Sequence, residues 1–259
     1  MSDFNSETNR IKILDVIRGI ALILMILDHS LYDIKSYGLF SSTLWIYKLI
    51  DFFNTPLYSV IWFIVVMCFF IIAGITSNFS KSNFRRAIYL IGFAFLLTLF
   101  TVLFVKGNEI YFGVLHCFGF CIFIYFLIEK FLHNVFKKIP IWIFLILFFV
   151  YYYITVLVSP IEPFVVSILN YKLVIPLFII GFPANNFFSA DFFPLLPWLF
   201  LFLFGAKLGK YIKEQRFPKW FYKFDFKPVS FVGRYPFLIY ILHQPIILGL
   251  LILIDKYIK

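Results

Sequence analysis

Four ionisable side chains stand on one face of the first apolar stretch, "DVIRGIALILMILDHSLYD", Asp15 to Asp33. A helical residue turns by about 100° and rises by about 1.5 Å. With Asp15 at zero, Arg18 falls at about −60°, His29 at about −40° and Asp33 back at about zero, while Asp28 sits to one side at about −140°. An imidazole is the usual general base near neutral pH. A carboxylate one turn further on could hold it in one tautomer, as the acid does in nucleophile–base–acid systems. His29 and Asp33 are therefore the candidate catalytic pair. Arg18 lies about 16 Å back along the stripe, and its guanidinium suits an anionic phosphate-bearing ligand. Its plainer alternative is an i,i+3 pair with Asp15 that anchors the helix end. Such groups cost several kcal/mol each against lipid, so the stripe must face protein or a wet cavity.

The stripe is set in a chain of 259 residues, 63% hydrophobic and 14% charged. Soluble domains are nearer half apolar and a quarter charged, and several apolar runs reach the roughly 20 residues that cross a bilayer. This predicts an all-α polytopic membrane protein with about seven transmembrane helices around a polar cavity. The spans are Ile13–Leu31, Leu57–Ser77, Ala87–Val105, Ile110–Ile128, Ile139–Val158, Phe192–Leu208 and Val229–Ile254. Phe164–Phe182 carries Asn170, Lys172 and Pro176 in its middle and is expected to dip into the interface or cover the membrane; if it spans, the last helix reverses. With the N-terminus cytoplasmic, Lys and Arg number 15 inside and 6 outside, with Arg18 and Arg234 within spans. The bias predicts a cell-membrane protein with its N-terminus inside and its C-terminus outside. The loop "KLGKYIKEQRFPKWFYKFDFK" interleaves bases with aromatics, as charge resting on anionic headgroups would; attraction of an anionic substrate is the alternative.

The net charge of +10 is thus explained by topology, and no nucleic acid is expected. The polar start "MSDFNSETNR" is not a signal-peptide n-region, so the first span should be retained. Cys68, Cys117 and Cys121 lie in apolar runs without metal-ligand spacing, and no metal is expected. With no internal repeat and no linker, residues 1–259 read as one membrane domain.

The stretch "LDVIRGIALILMILDHSLYD" resembles the first catalytic helix of the heparan-α-glucosaminide N-acetyltransferase family and its bacterial relatives. Arg18 and His29, ten residues apart, are similar to the Arg-x10-His pattern of the related membrane acyltransferase-3 family. Further segments resemble the former family in order: "FFIIAGITSNFS" (69–80), "FGVLHCFGF" (112–120), "DFFPLLPWLFLFLFGAKLG" (191–209) and "FVGRYPFLIYILHQPIIL" (231–248). Phe192 replaces a usual Tyr, and Pro236 and Phe237 replace Ser-Leu. The loop Ser30–Pro56 contains no His, so His29 follows the bacterial and acyltransferase-3 pattern, and heparan is not assumed as acceptor.

The resemblance implies an acyltransferase that moves acetyl from acetyl-CoA, or another acyl from its CoA ester, to a sugar or glycan acceptor across the membrane. It carries over His29, His116, Asp191 and His243 as matching positions. Asp28, His116, Asp191 and His243 are taken as candidate cavity or acceptor-binding positions and Arg18 as the donor-binding residue. His29 would be the base on the acceptor or carry the acyl group briefly. Expected partners are acyl-CoA, the glycan acceptor and membrane lipid, with a homodimer left open. Each position also has a purely structural explanation. His116, between Gly113 and Gly119, could bond a neighbouring carbonyl; His243 and Gln244 could satisfy the kink at Pro245; Asp191 could complement the dipole of its own helix. The rival class is a proton-coupled transporter or flippase for a small anionic or lipid-linked substrate, since intramembrane Asp, Arg and His equally suit proton relays.

Overall fold

The computed structural model describes residues 11–38, 44–53, 55–158, 177–183 and 187–258. Among these, regular structure is helical throughout. The helices are α1 (Lys12–Ser36), α2 (Leu44–Phe53), α3 (Pro56–Ser77), α4 (Asn83–Phe104), α5 (Val114–Phe131), α6 (His133–Lys138), α7 (Ile141–Val158), α8 (Leu195–Lys213), α9 (Lys219–Lys223), α10 (Lys227–Arg234) and α11 (Pro236–Ile258). Leu177–Ile180 makes a short 3-10 turn, and most of the ambiguous segment Phe164–Phe182 lies outside the described residues. Among the described residues, five helices are long and apolar enough to cross a membrane: α3, α4, α5, α8 and α11. α1 has the length, with 25 residues, but carries Lys12, Asp15, Arg18, Asp28, Asp33 and Lys35. The protein is multi-pass. Helix α4 turns Phe95, Leu96, Leu99, Phe100 and Leu103 outward, a surface that suits hydrocarbon and would be a large exposed patch in water.

Two predicted boundaries need correction. The expected span Val229–Ile254 is two helices. α10 ends at Arg234, and Tyr235 (φ −119°, ψ 48°) leaves the helical region before Pro236 opens α11. The proline ring disfavours the α conformation for the residue before it. Arg234 consequently sits exposed at the end of a short helix rather than within a span. The span expected from Ile110 starts only at Val114, with Gly113 in extended conformation as its N-cap.

The backbone forms two compact units, Met1–Phe69 with Gln215–Lys259, and Phe70–Glu214. In the first, α1 packs on α10 and α11. Glycine makes the α1–α10 approach possible: a Cβ on Gly19 would run into the Val229 carbonyl, and one on Gly233 into the Asp15 carbonyl. Close packing through such small residues is how helices associate without a hydrophobic drive. α1 stops where Gly38, at φ +61°, takes the left-handed conformation and donates to the Lys35 carbonyl, a common glycine helix stop.

In the second unit α4 pairs with α5, α7 with α8, and α5 also meets α8. Phe70 stacks on Phe118 at 4.4 Å and on Trp198 at 4.8 Å between ring centroids, an offset-stacking distance that adds to area burial. Lys207, expected in the polar loop, is buried in α8 and donates to the Lys137 carbonyl at 2.9 Å, which satisfies an orphan acceptor at the end of α6.

Candidate active site

The stripe on α1 is tied at its N-terminal end. Arg18 Nη1 lies 3.0 Å from Asp15 Oδ1 and donates to the Gly233 carbonyl, also at 3.0 Å. The carbonyls of the last turn of α10 have no intrahelical donor, and a guanidinium there answers both the carbonyl and the carboxylate. These contacts anchor α1 to α10.

At the other end of α1, the last two turns of helix bring together the groups with chemical potential. The His29 side chain is 40% exposed. Its Nδ1 lies 3.6 Å from Asp28 Oδ2, within ion-pair reach though too long for a hydrogen bond. Asp28 in turn accepts a 2.7 Å bond from the Tyr58 hydroxyl of α3. The His29 ring faces the His243 ring of α11 at 4.9 Å between centroids. One turn on, buried Asp33 accepts from Gln244 Nε2 with both oxygens, at 2.9 and 3.2 Å. The two carboxylates therefore divide their work. Asp28 stands beside the imidazole, and Asp33 holds α11 through Gln244.

His243 Nδ1 is 2.7 Å from the Tyr240 carbonyl. A carbonyl only accepts, so Nδ1 carries the proton and, in the neutral ring, Nε2 holds a lone pair. That Nε2 is buried and has no hydrogen-bond partner among the described residues, and neither has Gln244 Oε1. The Tyr58–Asp28–His29 chain with His243 beside it can accept a proton, stabilise the resulting imidazolium and pass the proton on.

The other two predicted positions, His116 and Asp191, lie in the second unit. Asp191 is a candidate cavity or acceptor-binding position, with complementing the dipole of its own helix as the plainer alternative. It precedes α8 by several residues and instead accepts from the Val114 backbone N–H, at 3.0 Å, capping α5. The reason is local. The Phe193 N–H bonds to the Phe112 carbonyl and the Ala190 N–H to the Glu109 carbonyl, which fixes the 190–193 segment along the approach to α5. A carboxylate at a helix N-terminus is favourable wherever it comes from in sequence. His116 Nδ1 accepts from the Gly113 N–H at 3.2 Å, so Nε2 carries the proton and lies 3.3 Å from Thr98 Oγ1. Its ring is stacked on Phe112 and edge-on to Phe95. Both nitrogens are engaged. Cys117 and Cys121 are buried nearby as packing residues.

Tyr58 and Gly233 were missed by sequence reasoning, and Gln244 was read only as a partner for the Pro245 kink, not as the partner of Asp33. Nothing local ties Tyr58 to Asp28, 30 positions away. Among the described residues no group of three or more His, Cys, Asp or Glu side chains is placed to hold a metal ion.

Helical among the described residues and multi-pass, with histidine and carboxylate side chains gathered on its first helix, the chain falls in a class of integral membrane proteins that carry an ionisable cluster. Residues 10–245 match the family described as "Heparan-alpha-glucosaminide N-acetyltransferase, catalytic", and the chain belongs to that family. The match runs from just before α1 through Pro245, and so spans every site residue named above. Family membership implies transferase activity. The chain matches no curated protein and no solved structure.

Proposed function

We propose that the protein transfers an acyl group, acetyl in the first instance, from its CoA ester to a sugar or glycan acceptor across the cell membrane, with the chemistry at His29. The observation that carries this is the half-exposed His29 imidazole, backed by the Tyr58–Asp28 pair and faced by His243. In the proposed reaction the acceptor amine or hydroxyl attacks the thioester carbonyl as the C–S bond breaks. His29 takes the proton from the nucleophile and returns it to the departing thiolate. Asp28 stabilises the imidazolium between these steps, and Asp33, through Gln244, fixes α11 beside it. A variant in which His29 first carries the acyl group uses the same neighbours. Arg18 is proposed to favour the anionic donor from the N-terminal end of α1, in addition to its anchoring contacts.

The proposed arrangement is one membrane domain of seven spans around a polar cavity, counting α1 and α7 with the five apolar helices, N-terminus inside and C-terminus outside. Labelling of a single cysteine at position 219 from outside intact cells would overturn that orientation. The activity is tested with purified protein in detergent, acetyl-CoA and glucosamine, by release of CoA thiol and formation of the acetylated amine. Absence of any CoA ester turnover, with acetyl or longer acyl groups, would favour the transporter reading.

A further inference from the structure

Two buried acceptor atoms on consecutive residues of α11 lack a partner among the described residues, His243 Nε2 and Gln244 Oε1. Their orientation is chemically fixed. The Tyr240 carbonyl takes the proton-bearing Nδ1 of His243. The carboxylate of Asp33 takes the amide nitrogen of Gln244, because an ionised carboxylate offers nothing to an amide oxygen. His243 Nε2 and Gln244 Oε1 are therefore left as acceptors, in residues that face the His29–Asp33 stripe. A buried acceptor left unmatched costs about 1–3 kcal/mol, and native proteins keep few of them. His243 is only 8% exposed, so bulk water does not relieve it. Satisfying the Pro245 kink would account for Nδ1. It does not account for Nε2 or for Oε1.

We propose that His243 Nε2 and Gln244 Oε1 form the acceptor subsite, receiving hydrogen bonds from an acceptor that carries N–H or O–H donors beside its reacting group. The inference rests on the acyl-transfer reading above, with His29 as the base. A site built from two acceptors selects a polyhydroxylated amine or alcohol over one whose only donor is the reacting group. An analogue lacking those donors leaves the buried atoms unpaired, which is the strongest form of rejection open to a binding site.

The test compares glucosamine with cyclohexylamine, a ring amine without hydroxyls, using the full chain in detergent at saturating acetyl-CoA. Three proteins are compared: wild type, His243→Asn and Gln244→Met. Asn can still donate to the Tyr240 carbonyl but removes the atom at Nε2, so a purely structural role would be rescued. Both variants are expected to lower the glucosamine-to-cyclohexylamine ratio of kcat/KM by about 10–100-fold, the cost of an unmatched buried hydrogen bond. Amine ionisation cancels in that comparison. KM for acetyl-CoA, measured in parallel, should hold and reports that the variants are folded. An unchanged ratio in His243→Asn and Gln244→Met overturns the subsite and leaves acyl transfer standing, as does acetyl-CoA turnover without transfer to glucosamine. No CoA ester turnover in wild type overturns both.

Discussion

His243 and His116 are both buried, both lie in apolar helices and both engage the local backbone through Nδ1, yet they are opposite in chemical state. The Gly113 N–H forces Nδ1 of His116 to accept, and the proton goes to Nε2 and faces Thr98. The Tyr240 carbonyl forces Nδ1 of His243 to donate, and the lone pair goes to a buried Nε2 with no partner among the described residues. His116 is packed against two phenylalanine rings, whereas His243 faces another imidazole. Residue type, burial and helix context do not separate the two. The backbone group within reach of Nδ1 does, since it decides which nitrogen is left for chemistry.

The largest expected effect separates the two regions outright. His29→Ala should lower transfer by about 10²–10⁴-fold, the usual worth of a general base, with thermal stability close to wild type because the side chain is half-exposed. His116→Ala should do the reverse. It removes a packed ring and strands the Gly113 N–H, while the Thr98 hydroxyl keeps its bond to the Ala94 carbonyl. The loss is about 2–4 kcal/mol, and activity per folded molecule stays within a few-fold. Thermal unfolding in detergent beside steady-state transfer reads both. A stable but inactive His116→Ala would move the chemistry to the second unit.

A smaller effect sharpens the assignment within the first unit. Asp28 is the carboxylate beside His29 Nδ1, so Asp28→Asn should lower kcat on the order of 10-fold. That is less than where the acid bonds the imidazole directly, because the 3.6 Å contact is not a hydrogen bond. Tyr58→Phe, which frees Asp28 to turn away, should cost a few-fold in kcat. Asp33→Asn keeps an oxygen for Gln244 and should act chiefly on acceptor KM. A larger kcat loss from Asp33→Asn than from Asp28→Asn would restore Asp33 as the immediate partner of the imidazole.

Arg18 is the next step down. Arg18→Lys should raise KM for acyl-CoA several-fold and leave kcat less changed, the pattern of lost uniform binding, because an ammonium cannot form two parallel bonds to phosphate. It should also lower the unfolding temperature somewhat, since one guanidinium nitrogen now serves both Asp15 and the Gly233 carbonyl. Unchanged KM with lowered stability would assign Arg18 to anchoring alone.

The helices and the polar stripe were legible because apolar length and a 100° turn are properties of the chain itself. Arg18 next to Asp15 follows from i,i+3 spacing alone. The break at Tyr235 was also legible in principle, since Pro236 disfavours a helical residue before it, but the apolar run across it masked the signal. What sequence could not give was long-range. Asp191 caps α5 because the backbone bonds from Ala190 to Glu109 and from Phe193 to Phe112 carry it there, and no periodicity encodes that. The partner of Asp28, 30 residues away, and the tautomers of His116 and His243 depend on which backbone group each ring meets. Helical phase placed Asp28 off the stripe, yet its carboxylate still comes within 3.6 Å of His29, because adjacent side chains can bend toward one another where a third group, Tyr58, holds one of them.

The smallest expected effect lies outside the membrane helices, where Asp225 precedes α10. Its carboxylate accepts from Lys12 at 3.0 Å and from the Ser230 hydroxyl at 2.8 Å. The Lys12 bond, followed by that from Ser230, holds its pKa below the ordinary 3.8. Because the folded pKa is depressed, the carboxylate binds its proton more readily in the unfolded chain. The stability it contributes is therefore fully present above about pH 3.8 and is lost as pH falls through the lower folded value. Asp225→Asn should lower the unfolding temperature slightly at neutral pH and converge with wild type in acid. Salt should shrink the difference, because the Lys12 partner is open to solvent and its charge is screened. The mutation should leave kcat untouched, in contrast to Asp28→Asn, because a carboxylate at the N-terminal end of α1 has no contact with His29. Unfolding curves from neutral pH to below pH 3.8 check the sign: a variant that loses stability relative to wild type only as pH falls would show that Asp225 titrates in the opposite sense.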